Sequence, residues 1–293
     1  MLNKTFIKRC KILLKLSMQI YQAISQREAQ SFNTEQLREN FLIESIFQNN
    51  EVKMYYTHYD RVVLGGAMPI NTAIVLPTYD SLKSGYFLER REIGIINVGG
   101  DGEIAVDGRT FPLSKLDALY IGKGSQSVVF TSNNSDNPAR FFLLSAPAHQ
   151  MYPTRKMSKE EALPVSLGSQ ETANERTIYK YIHRDGIQSC QVVMGLTVLK
   201  PGSIWNTMPA HVHDRRMEAY LYFDLNADHR VFHLMGQPQE TRHLVVANHQ
   251  AVLSPPWSIH SGAGTTNYSF IWAMAGENLD FTDMDFAPIA ELR

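Results

Sequence analysis

The sequence predicts a mainly β protein built as two antiparallel β lobes and opened by one or two short helices. Short runs rich in β-branched and aromatic residues, punctuated by Gly, Asp and Asn, recur from Tyr55 to Leu144 and again from Thr177 to Trp272. Apolar residues at helical spacing are confined to about Gln22 to Gln48. The two β-rich halves also resemble each other: ERREIGIIN (89–97) matches RRMEAYLYF (215–223), and DALYIGKGSQS (117–127) matches QAVLSPPWSIH (250–260). Duplication is the economical explanation.

In chain order, residues 1–17 carry Lys4, Lys8, Arg9, Lys11 and Lys15 around Ile7, Ile12, Leu13, Leu14 and Leu16, a basic amphipathic pattern. It is expected to be an extension, either an appended leader or a mis-set start, with a membrane or targeting role as the alternative. Residues 18–150 form the first expected lobe. Thr34 ahead of Leu37, Phe41 and Leu42 marks a helix, and GEIAVDG and ALYIGKG are typical strands. Residues 151–175 are expected to connect the lobes, because the stretch around RKMSKEEALP has few bulky apolar residues and several turn formers. Residues 176–293 form the second lobe, with CQVVMGLTVL, EAYLYFDL, RVFHLM, HLVVA and YSFIWAM as its strongest strands.

The chain has 293 residues, 44% of them hydrophobic, enough for one large core or two ordinary ones. With 28 basic and 29 acidic residues the net charge is -1, so no global field draws nucleic acid or an anionic membrane, and an anionic ligand must be met locally. No apolar run approaches the roughly 20 residues of a membrane span. Cys10 and Cys190 form neither a disulfide framework nor a metal-type spacing, which fits a reducing compartment, expected to be the cytoplasm.

Chemistry concentrates in MPAHVHDRRMEAYLYF (208–223). Residues two apart on a strand point the same way, so His211 and His213 share a target. Glu218 has the wrong parity for an unbroken strand, so Asp214, Arg215 and Arg216 are expected to form a turn or bulge that restores its facing. His260, behind the rigid turn SPPWS, is placed to close the site from a neighbouring strand. Three imidazoles and a carboxylate suit zinc, manganese, iron(II) or nickel rather than calcium or magnesium. A lone histidine in a β domain is usually a hydrogen-bonded core or surface residue, and it is the grouping that lifts these four above that. In the internal alignment Glu92 falls opposite Glu218, but Ser127 falls opposite His260 and no histidine pair precedes Glu92, so only the second lobe is expected to hold the metal.

A second polar run, QPQETRH (237–243), would point Gln239, Thr241 and His243 one way and Glu240 and Arg242 the other. One set could line a pocket, against the plain alternative of an exposed strand face. Arg184, Arg215, Arg216 and Arg242 are candidates to bind a substrate carboxylate bidentately, although a surface ion pair is the commoner fate of any one arginine.

H-x-H, four residues, then E, with a later H between short strands, is similar to the cupin metal motif, and two such halves look like a bicupin. More specifically, FLERREIGIINVGG, DALYIGKG, PAHQMYPT, WNTMPAHVHDRRMEAYLYF, MGQPQETRH and SPPWSIHSGAGT closely resemble the 4-deoxy-L-threo-5-hexosulose-uronate ketol-isomerase family, from about Met18 to Arg293. The resemblance implies two cupin-like jelly-roll barrels, a Zn2+ held by His211, His213, Glu218 and His260, and a hexamer. It implies conversion of a small anionic sugar acid, the open keto form of an unsaturated uronate, to 3-deoxy-D-glycero-2,5-hexodiulosonate in pectin and polyuronate breakdown. Moving a proton between adjacent carbons needs a general base, for which Glu240, His243 or a water are the candidates. A metal-dependent cupin dioxygenase and a non-catalytic sugar-acid-binding cupin are the alternatives from other classes.

Overall fold

A computed structural model of the chain describes residues 16–277 and 279–293; most of the basic N-terminal segment, including Cys10, and Asn278 lie outside the described residues. Two short helices, Gln26–Ala29 and Thr34–Phe41, open the fold. Each starts at a reciprocal capping box, Ser25 with Glu28 and Asn33 with Gln36, which satisfies N–H groups a helix end otherwise leaves orphaned. The second helix buries Leu37 and Phe41. The Phe41 ring packs edge-on against Trp257 of the second lobe, 6.2 Å between centroids.

The two halves repeat one strand order. In the first large sheet Val52–Thr57, Val63–Ala67, Phe141–Pro147, Arg91–Asn97 and Ala118–Ile121 lie side by side; in the second, Arg176–Ile182, Val192–Leu199, Ser269–Gly276, Arg216–Phe223 and Ala251–Ser254 take the same places. Each large sheet is accompanied by a four-stranded one, ordered Ile74–Val75, Val128–Ser132, Gly102–Val106, Arg109–Leu113 in the first lobe and Trp205–Asn206, Ser261–Gly264, Val231–Gln237, Glu240–Val246 in the second. The protein is therefore mainly β and duplicated, with cupin-like lobes. Each lobe is a pair of separate sheets rather than one closed barrel.

Within the first lobe, Ile93, Ile95, Leu119, Ile121 and Phe141 of the large sheet pack against Ile104, Phe111 and Phe130 of the small one. Alternate residues of the same strands face the other way. Ile96, Ala118, Tyr120, Phe142 and Leu144 join a core shared with Ile182, Val192, Met194, Leu196 and Ala219, so the two large sheets meet back to back. Gly94 lies at this seam, where a Cβ would come within 2.6 Å of the Met194 sulfur and 2.7 Å of Ile182 Cδ1.

Chain order and spatial order part company around the lobe boundaries. Leu42–Ile43 pairs with Ala251–Ser254, so the opening helices and this strand lie in space with the second lobe. Between the lobes, Arg155–Met157 adds an edge strand to the first large sheet and Val165–Leu167 one to the second. Each of these edge strands is only three residues long, and so short an edge offers little unpaired backbone to another chain.

Candidate metal centre and active-site cavity

Strand parity and one tight turn assemble the site. His211 lies on the short strand His211–Val212, paired with Asp285–Phe286. His213 follows it, and Asp214 and Arg215 alone make the turn; Arg216, expected to share it, already begins the strand Arg216–Phe223, and the two-residue turn restores the facing of Glu218 as its parity requires. His213 Nδ1 donates to Arg216 O at 2.9 Å across this turn, which leaves its Nε2 pointing at the centre. His260 arrives from the other side. The turn after Ala251–Ser254, closed by Ser258 N–H on Pro255 O at 3.0 Å, folds the chain back so that His260 Nδ1 meets Ser254 Oγ at 3.4 Å.

The four side chains are buried, and one ligand atom from each lies within 4.8 Å of all the others. Glu218 Oε2 is 3.0 Å from both His213 Nε2 and His260 Nε2, and His260 Nε2 is 2.9 Å from His211 Nε2. Burial alone would raise the Glu218 carboxyl, but the surrounding imidazoles His260 and His213 hold it well below the usual carboxylate range. Burial opposes charge on His213 too, yet the hydrogen bond and charge of Glu218 raise it. Burial, with His260 beside it, pushes His211 down to about 3. Three imidazoles around one carboxylate, two of them oriented through Nδ1 so that Nε2 faces inward, fit a divalent transition metal. This is the only such grouping among the described residues.

The group opens into a cavity of about 440 Å³. Its walls include Phe270, Trp272 and Met274 from one strand, Phe281, Met284 and Phe286 from the C-terminal segment, and the polar groups of Arg176, Lys180, Thr207, Arg216 and Tyr220. Tyr220, two residues from Glu218 on the same face, shares a hydrogen bond with Thr207 Oγ1 at 3.2 Å. Burial and the nearby Glu218 charge raise its phenol well above the ordinary range, so it remains a neutral O–H donor.

The other sequence-predicted residues are only partly gathered here. Of the four arginines, Arg216 alone lines the cavity, and it is held by Asp283 at 2.7 Å. Arg184 pairs with Asp280 and Arg215 with Glu277 at exposed positions. Glu240 and Arg242 pair with each other at 2.8 Å and face the opening helices, Arg242 donating to Gln30 O at 3.0 Å. His243 is exposed on the same strand. Glu240, His243 and Arg242 are thus not brought to the metal group within one chain. The hairpin that carries them belongs to the small sheet, and its polar faces turn toward helix and solvent. Sequence reading missed Arg176, Lys180, Thr207 and Tyr220. For Tyr220 the signal was available in its even spacing from Glu218.

The internal match of Glu92 with Glu218 is corrected. Glu92 faces out of its lobe across the seam, where it accepts from Tyr120 OH and from the backbone N–H groups of Cys190, Gln191 and Val192 at 2.7–2.9 Å. Register makes Ile93, paired with Ile121, the counterpart of Glu218, paired with Ser254. The two glutamates are one residue out of step, which on a strand means opposite faces.

Fold and site together define a two-lobed cupin-type protein with one buried His-His-Glu-His group that could bind a metal. The chain belongs to the KduI/IolB family, whose model matches residues 41–289. It is 56% identical over 276 residues to the 4-deoxy-L-threo-5-hexosulose-uronate ketol-isomerase of Shouchella clausii, covering 94% of this chain and 100% of that one. With the protein of the same name from Halalkalibacterium halodurans it shares 59% identity over 271 residues, 92% of this chain and 98% of that one. Among solved structures, an IolB-like protein from Salmonella typhimurium superposes with a TM-score of 0.67 at 16% identity, covering 85% of this chain and 97% of that one. An oxalate decarboxylase of Bacillus subtilis, a protein with Mn(II) centres, superposes at 0.53 with 9% identity, over 77% and 71% of the two chains. These structural likenesses concern the fold. No helix among the described residues is long and apolar enough to cross a membrane.

Proposed function

We propose that the protein is a ketol-isomerase that converts 4-deoxy-L-threo-5-hexosulose uronate to 3-deoxy-D-glycero-2,5-hexodiulosonate in polyuronate breakdown. The observation that carries the reading is the buried group His211, His213, Glu218 and His260 beside a largely apolar cavity that also carries Arg176, Lys180, Thr207 and Tyr220, in a chain that is more than half identical to relatives named for this activity over nearly their whole length. The four residues would hold one divalent metal, for which zinc is the proposed ion. When bound, it supplies Lewis acidity toward a carbonyl oxygen and a template for the substrate.

The chain's own residues account for the remaining needs of an aldose-to-ketose shift. The neutral Tyr220 hydroxyl, fixed by Thr207, is placed to donate to an oxygen that gains charge as the proton moves. Arg176 and Lys180 offer positive charge on the cavity wall to a substrate carboxylate, Arg216 being already committed to Asp283. The buried Phe270 and Trp272 give the cavity an apolar wall that limits water around the reacting carbons. A cytoplasmic location, resting on cysteine usage, and a hexameric assembly, resting on the family resemblance alone, complete the proposal.

The test is to follow conversion of the product of a polyuronate lyase by the purified protein while counting bound metal, with and without chelator. Chelator-sensitive isomerisation at about one metal per chain is expected. Bound metal without turnover, or turnover that consumes oxygen, would overturn the reading.

A further inference from the structure

We infer that Asp60, contributed by the first lobe, is a positioning residue for His213 and acts through the single peptide group between Arg216 and Met217. The N–H of that peptide, on Met217, donates to Asp60 Oδ2 at 2.7 Å, while its carbonyl, on Arg216, accepts from His213 Nδ1 at 2.9 Å. A carboxylate on the N–H side polarises the amide and makes its oxygen a better acceptor, because hydrogen bonds in series strengthen one another. The stronger acceptor draws on the Nδ1–H, fixes the imidazole tautomer and increases the electron density at Nε2, the atom that faces the site.

Asp60 is held in place for this. Asp60 and Arg61 have φ of 47° and 53°, a left-handed conformation that non-glycine residues adopt mainly where their surroundings enforce it. The buried Arg91 guanidinium supplies the enforcement, donating to Arg61 O at 2.7 Å and to Ser145 Oγ and O at 3.0 and 2.8 Å. The lobe without the metal group thereby reaches across the seam to orient a residue of the one that has it. Glu92, the other carboxylate that crosses the seam to backbone N–H groups, caps Cys190, Gln191 and Val192 and touches no peptide of the site, which makes it the natural control.

The inference rests on the reading of His213 as a metal ligand, and the experiment separates the two. Zinc affinity is measured by competition with a chromogenic chelator, and the visible spectrum of the Co(II)-loaded protein is recorded, for the wild type, Asp60→Asn, Asp60→Ala, Glu92→Gln and His213→Ala. Thermal melting of each establishes that it is folded, and Asp60→Asn serves if Asp60→Ala is not. Both Asp60 variants are expected to weaken zinc binding by about tenfold, the lower end for an outer-shell partner, and to shift the Co(II) bands, while Glu92→Gln changes neither. Wild-type affinity and spectrum in the Asp60 variants, or an equal loss in Glu92→Gln, would overturn the inference. Undiminished zinc affinity in His213→Ala would instead overturn the reading of the site itself.

Discussion

Glu218 Oε2 and His260 Nε2 stand 3.0 Å apart with almost no exposure to solvent, 3% for the glutamate and 1% for the histidine. A carboxylate so enclosed needs hydrogen-bond donors or positive charge beside it, and the groups beside this one are imidazoles, which supply it protonated or with a shared cation. Glu218→Gln keeps the shape and removes the charge. Bound metal is expected to fall well below one per chain and turnover by on the order of 10³-fold, the upper range for losing one preorganised electrostatic group. Metal analysis of the purified variant beside its steady-state rate checks both; full metal content at wild-type rate would remove Glu218 from the site.

Tyr220→Phe separates the chemistry from the metal. The variant loses one hydroxyl bonded to Thr207 and none of the four candidate ligands. A fall in kcat of roughly 10²-fold with unchanged metal content is expected if the hydroxyl donates to the developing oxyanion. A change confined to KM would assign it to substrate binding instead.

Glu240→Gln and His243→Gln are expected to leave kcat/KM within about twofold, because both residues lie on the small-sheet hairpin away from the cavity. A large loss in either would show that the site draws on this hairpin in the assembled protein.

Stability of the metal-free protein should decline on the acid side. Burial pushes His233 down to about 3 and His249 down to about 4. Their folded values lie below the unfolded value near 6.5, so unfolding takes up protons. Their contribution is present above about pH 6.5 and is lost as pH falls toward the folded values, each group adding a slope of at most about 1.4 kcal/mol per pH unit. His213, raised through Glu218, works in the opposite sense, its contribution fading as pH rises. Denaturant titrations between pH 7 and 5 read the slope, and His249→Gln should flatten it.

Gly94→Val tests the seam between the large sheets. The added side chain must displace Met194 and Ile182, and overpacking of this kind costs typically 1–3 kcal/mol. A lower denaturation midpoint with metal affinity intact is expected, since Gly94 faces away from the site.

The mainly β class, the duplication and the candidate metal group were legible in the sequence, because each is written in local pattern. Alternation marks strands, His211 and His213 stand at strand spacing, and the parity of Glu218 calls for a turn among residues 214–216, which Asp214 and Arg215 make. Tertiary structure decided the rest. Glu92 and Glu218 look equivalent in a sequence alignment, yet a slip of one residue sends one into the seam and the other into the site, and only pairing with neighbouring strands reveals the slip. Residues such as Thr207, Arg176 and Asp60 carry no local mark of their place, because what brings them to the site is contact between distant segments, which depends on how sheets stack and lobes dock. Glu240 and His243 failed to reach the cavity for the same reason: a polar strand announces that one face is wet, and the packing of its sheet decides which cavity, if any, that face sees.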